Sequence, residues 1–145
     1  MKINMFDIYY ADLKRNSYYS EQGGIRPVIV IQNDIGNQHS PTSIVLPITS
    51  EIKKENQPTH CILHKTKKNG LKMDSMVMAE QIRVIDKSRL KDKIGYLDDL
   101  NEQNEVINAY MANITGRKTY DSWWTKIINM VFKLVKEGAK NGKAA

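Results

Sequence analysis

Ser20-Glu21-Gln22-Gly23-Gly24-Ile25-Arg26-Pro27-Val28-Ile29-Val30-Ile31-Gln32 joins a polar turn to an apolar run. Paired glycines let the backbone adopt conformations closed to other residues. The run from Pro27 has the character of a buried strand. Working outward, residues 5–13, rich in Ile and Tyr, read as a strand, as do the shorter apolar runs 43–48 and 59–63. Residues 75–85 end in a two-residue alternation at Ile82 and Val84. Turn chemistry separates these runs: Gly23-Gly24, Asn33-Asp34-Ile35-Gly36-Asn37, Glu55-Asn56-Gln57-Pro58 and Lys68-Asn69-Gly70. Five or six short strands at this spacing predict a compact barrel rather than alternating α/β units.

Residues 86–90 and 99–114 read as helical. Asp98 or Asp99 is placed to cap the second, Leu100, Val106, Ile107, Tyr110, Met111 and Ile114 give it an apolar face, and Gly116 stops it. The class is therefore α+β, mainly β. Beyond Tyr120 the character changes. Asp121-Ser122 can start a helix in which Trp123, Trp124, Ile127, Ile128, Val131, Leu134 and Val135 recur at three- and four-residue spacing, with Gly138 at its end. Lys126, Lys133 and Glu137 keep to the other face. We divide the chain into a barrel domain, 1–118, and a basic amphipathic helix with a short tail, 119–145. The helix is expected to pack on its own fold or lengthen a dimer contact, with a membrane surface as the less favoured alternative.

With 145 residues, the chain is long enough for one domain with a core of its own. One cysteine, Cys61, excludes an internal disulfide and suits a reducing compartment. The N-terminus carries Asp7 where a signal peptide is apolar, and no run is long enough for a membrane span, so a cytoplasmic protein is expected. The net charge is +6, half from residues 1–118 (17 basic, 14 acidic) and half from 119–145 (five basic, two acidic). That permits a polyanionic partner without demanding one.

The loop 20–27 gathers hydroxyl, carboxylate, amide and guanidinium groups. Arginine binds phosphate through a planar fork of donors, so the loop could cradle a phosphate. It could equally be a hairpin whose Arg26 pairs with Glu21 or another acid. His60 and His64 flank Cys61, but a metal site lacks a convincing third ligand, so structural or surface histidines and a buried, inert thiol are expected. Lys65-Thr66-Lys67-Lys68 reads as a solvated loop or a contact to phosphates.

The stretch from Ser20 to Gln32, continued by Asn33-Asp34-Ile35-Gly36-Asn37, closely resembles the signature region of the MazF/PemK toxins of Gram-positive type. The likeness continues in collinear order through Pro47-Ile48-Thr49-Ser50, Pro58-Thr59-His60, Glu80-Gln81-Ile82-Arg83-Val84-Ile85-Asp86-Lys87 and Lys93-Ile94-Gly95. It implies an SH3-like barrel and a homodimer inhibited by a MazE-like antitoxin. It further implies a metal-independent endoribonuclease, without cofactor, that cuts single-stranded mRNA at short motifs. Such cleavage proceeds through 2′-hydroxyl attack and leaves a 2′,3′-cyclic phosphate and a 5′-hydroxyl.

By position, Arg26 and Thr49 match the family's essential arginine and threonine. Glu21, the loop's carboxylate, is the candidate base. Ser20, Gln22 and Gln81 match groove-lining positions, Gly23 and Gly24 allow close approach of RNA, and Tyr18 and Tyr19 offer stacking surfaces. Tyr18 and Tyr19 depart from the small residues of relatives, and Phe6 stands where the family usually has Gly. Two rivals follow from the same fold: a non-enzymatic toxin that binds DNA gyrase, and a catalytically silent antitoxin-binding member.

Overall fold

The computed structural model describes residues 1–14, 21–116 and 123–142. Its elements are β1 (Asp7–Asp12), β2 (Ile25–Val30), α1 (Asp34–His39), β3 (Thr42–Thr49), β4 (His60–Leu63), β5 (Ser75–Met78), β6 (Arg83–Asp86), β7 (Leu90–Tyr96), α2 (Leu100–Thr115) and α3 (Trp123–Asn141). Short 3₁₀ turns occupy Ala79–Gln81 and Lys87–Arg89. The α+β class holds. The strands pair in the order β4-β5-β3-β2-β1-β7, all antiparallel, and β6 joins β3.

The expected barrel is not closed by a ladder between β4 and β7 among the described residues. The turn that follows β4 crosses the gap instead, with the Tyr96 N–H donating to the Lys68 carbonyl at 3.0 Å. Backbone meets backbone there. A Cβ on Gly70 would lie 1.9 Å from the Ile94 oxygen, and one on Gly95 would lie 2.1 Å from the Lys68 oxygen.

β2 explains the apolar run. Its side chains alternate between faces, and both faces are buried. Ile29 joins Ile8, Leu46, Ile48, Leu63 and Val77 in one cluster, while Val28 and Val30 join Tyr9, Ala11, Val45 and Ile85 in another. Helix α2 covers the first cluster with Val106 and Ala109. Asp99 caps it, accepting from the Glu102 N–H at 2.9 Å, and Gly116 ends it at φ 66°. Its buried face is Val106, Ala109 and Ala112 rather than the broader stripe expected, since Leu100 and Ile114 are exposed.

Other expectations need correction. Residues 75–85 are two strands around a 3₁₀ turn, with Ile82 and Val84 exposed. Residues 86–90 form a 3₁₀ turn leading into β7 rather than a helix. The Asn33–Asn37 turn is the first part of α1, capped by the Asn33 side chain on the Gly36 N–H. Phe6, at the position where the resemblance leads one to expect Gly, sits at φ 69°, a conformation unfavourable to a bulky side chain.

Helix α3 forms as expected but runs through Gly138 to Asn141, and its expected start at Asp121-Ser122 lies outside the described residues. Met130, Val131, Phe132, Leu134 and Val135 are 50–63% exposed, so among the described residues this stretch of the face does not pack on the chain's own sheet. No described helix is long and apolar enough to cross a membrane.

Candidate active site

Arg26 pairs with Ala11 across β1 and β2. The β2–β3 register ends at Val28 with Pro47, and Arg26 and Thr49 each stand two residues beyond that last pair on their strands. Alternation then puts Arg26 on the side of Val28 and Val30, and Thr49 on the side of Val45. Arg83, paired with Val45, shares that side with Ile85. Two arginines and a threonine thus project from the face that α2 leaves uncovered.

Arg26 is held by its own loop. Its Nε donates to the Gly23 carbonyl at 3.0 Å, and Nη1 donates to the Gln22 side-chain oxygen. The Gln22 N–H in turn donates to the Gln81 side-chain oxygen at 3.4 Å, tying the loop to the 3₁₀ turn before β6. Gly24 takes φ 74°, and a Cβ there would meet nothing within 4 Å, so the turn uses its conformational freedom rather than its size. Burial, and then the charge of Arg83, push the Arg26 guanidinium below the usual arginine value.

Glu21 pairs with Arg83 at 3.6 Å, and the same guanidinium donates to the Leu13 carbonyl at 2.7 Å. The hairpin alternative therefore describes part of the loop, since an acid–arginine pair does form, but with Arg83. The Thr49 hydroxyl oxygen accepts from the Glu51 N–H at 3.1 Å, which leaves its own hydrogen available to donate. Of the residues read from the sequence, Arg26, Glu21, Gln22, Gly23, Gly24 and Gln81 come together, while Thr49 ends β3 two residues beyond its last pair with β2. Ser20, Tyr18 and Tyr19 lie outside the described residues. Arg83 was not singled out for a role by sequence reasoning. The signal was its alternation with Ile82 and Val84, which sends it and Gln81 to the opposite side.

His60 is buried, with Nδ1 2.9 Å from the Lys54 carbonyl and Nε2 2.7 Å from Glu80. His64 is exposed against Asp74. Both rings have protein partners, one in the interior and one at the surface. Cys61 is buried. Among the described residues no group of three His, Cys, Asp or Glu side chains is placed to hold a metal. In the basic loop, Lys68 pairs with Asp98 at 2.5 Å. A shallow cleft lined by Tyr10, Pro27, Ile48, Leu71 and Ile94 lies on the other side of the sheet from Arg26, as the alternation along β2 requires.

Residues 4–113 match the family described as PemK-like, MazF-like toxin of type II toxin-antitoxin system. The chain is 48% identical over 116 residues to Endoribonuclease EndoA of Bacillus subtilis (strain 168), covering 79% of this chain and 98% of that protein. It is 52% identical over 103 residues to Endoribonuclease MazF of Staphylococcus saprophyticus, covering 71% and 83%. Among solved structures it is similar to an endoribonuclease in complex with its cognate antitoxin from Mycobacterial species. That similarity has a TM-score of 0.62 at 21% identity, covers 79% of this chain and 95% of the other, and speaks for the fold. Helix α3 lies outside the matched segment.

Proposed function

The chain belongs to the PemK-like, MazF-like toxins of type II toxin–antitoxin systems and is an endoribonuclease, and from that premise we propose how it cuts. The substrate is single-stranded RNA, read at a short motif. The 2′-oxygen attacks the adjacent phosphorus, the bond to the 5′-oxygen breaks, and a 2′,3′-cyclic phosphate and a 5′-hydroxyl result, without a metal.

The observation that carries this reading is the state of Arg26. Two of its N–H donors are engaged within the loop among the described residues. A guanidinium has five, which leaves three for a phosphate. The pentacoordinate transition state gains negative charge, and a preorganised cation in a partly dry setting favours it over the ground state. Arg83 adds a second positive charge nearby. Thr49 donates its hydroxyl hydrogen to a phosphoryl oxygen, and Glu21 accepts the 2′-hydroxyl proton. Electrostatic stabilisation is the main duty of Arg26, since a guanidinium is a poor acid–base group. Gln22, Gln81, Gly23 and Gly24 line the path of the RNA, and the sequence adds Ser20 and Tyr19 as further RNA-binding residues.

Two subunits, a MazE-like antitoxin partner and a cytoplasmic site of action complete the reading. Residues 1–118 suffice for cutting, with 119–145 an accessory segment, so a chain ending at residue 118 retains activity. The test is to incubate the full chain with a long single-stranded RNA in EDTA and map both ends. Cuts at a repeated motif with cyclic-phosphate and 5′-hydroxyl ends are expected, and 2′-deoxy substitution at the cut site should abolish them. Cutting that survives the 2′-deoxy substitution overturns the 2′-oxygen as nucleophile. A requirement for metal overturns the metal-free mechanism. Intact RNA together with inhibited DNA gyrase would move the protein to the gyrase-binding alternative.

A further inference from the structure

We propose that α3 is an interfacial helix that seats the protein on an anionic lipid surface. The inference is independent of the RNA chemistry, because α3 lies outside both the matched family segment and the Arg26 site.

Successive residues of an α-helix are turned by about 100°. By spacing alone, Trp123, Trp124, Ile127, Ile128, Met130, Val131, Phe132, Leu134 and Val135 then fill an arc of roughly 200°. Lys126, Lys133, Lys136 and Lys140 fall within about 80° on the opposite side. Between Trp123 and Asn141 there are four lysines and one acid, Glu137, for a balance of +3. Phe132 and Leu134 are 63% and 61% exposed, so the domain does not cover the described apolar residues from Met130 to Val135.

The width of that side decides what covers it. A helix packed on another helix or a sheet presents an apolar stripe of about 100° or somewhat more. A second copy of α3 would therefore leave much of this arc in water. RNA would engage the lysines and leave the whole apolar arc exposed. A helix lying half-submerged at a bilayer surface buries an arc of about this width, with its basic side among the headgroups. Paired tryptophans near one end suit that boundary, where one edge of the ring is apolar and the other wet. The lysines select anionic lipid, each contributing about fivefold in affinity near such a surface. The helix lies on the membrane rather than through it, since no described helix is apolar enough to span.

The test uses the full chain and sedimentation with phosphatidylcholine vesicles made with and without phosphatidylglycerol. Binding is expected to the anionic vesicles alone, weakened by salt, with a blue shift of tryptophan emission. Val131→Glu with Leu134→Glu should abolish sedimentation, and Lys133→Glu with Lys136→Glu should weaken it by at least about tenfold. Both variants should keep the parent circular dichroism of the barrel and its RNA cutting. Absence of sedimentation with anionic vesicles overturns the proposal. So does a fall in solution mass for the Val131/Leu134 variant with vesicle binding unchanged, which assigns the face to a second copy. Weakened RNA binding by the lysine variant with intact vesicle binding assigns the basic side to RNA and overturns it as well.

Discussion

Replacing Arg26 by alanine and by lysine separates charge from geometry at the proposed phosphate site. Alanine removes the guanidinium and two hydrogen bonds, to the Gly23 carbonyl and the Gln22 amide. Each such bond contributes about 0.5–1.5 kcal/mol, so the stability cost is about 1–3 kcal/mol at most. A domain with about 5–15 kcal/mol in hand remains overwhelmingly folded after that loss. The effect on the chemical step is larger: removing one preorganised donor to a developing oxyanion lowers the rate about 10²–10³-fold, or about 2.7–4 kcal/mol. Unfolding therefore cannot mimic the expected loss of activity. Lysine retains the charge but offers three donors in place of five and no planar fork, so an intermediate loss of about tenfold is expected. The assay is single-turnover cleavage of a short RNA in EDTA, with urea unfolding of each variant in parallel. Cleavage by Arg26→Ala within tenfold of the parent refutes the assignment. Arg26→Lys at full activity refutes the role of the fork.

Arg83→Met removes the bond to the Leu13 carbonyl and the pair with Glu21 while relieving the repulsion on Arg26. Stability should fall by about 1–2 kcal/mol and cleavage by about tenfold or more, read from urea midpoints and single-turnover rates. Gly95→Ala drives a Cβ into the backbone oxygen of Lys68, which side-chain rearrangement cannot relieve. A loss of about 3 kcal/mol or more is expected, visible as a fall in Tm of at least about 6 °C. The Asp74 carboxyl is held below the usual range by the Lys65 N–H and then by His64. Its contribution is therefore present above the unfolded value of about 3.9 and is lost as the pH falls through the lower folded value. Asp74→Asn should be less stable than the parent at neutral pH, and the difference in Tm should close on acidification below about pH 4.

What the sequence made legible follows the strength of each local signal. The Pro27 run announced a buried strand because both faces of β2 meet apolar clusters. Gly116 and Asp99 bounded α2 because termini need carbonyl and N–H partners that these residues supply. Strand β7 was hidden by Lys91, Asp92 and Lys93, charges that an edge strand carries at little cost. Helix α1 was hidden by the turn-forming Asn33 and Gly36, which here cap and occupy its first turn. At the proposed site, Arg26 and its loop were legible as a cluster of polar groups contiguous in sequence. Arg83 was not, because its nearness to Arg26 depends on the β3–β6 ladder, which joins residues far apart along the chain.

Strand β3 binds β2 along one edge and β5 and β6 along the other, and it ends on Thr49. A genetic selection for cells that survive expression of this toxin should therefore return two populations. One carries changes at Arg26 or Thr49 themselves. The other carries changes at interior positions such as Val45 and Leu46, which release the strand from its neighbours and lose Thr49 indirectly. Antibody detection of the accumulated protein would sort them, since the first class stays abundant while the second is cleared.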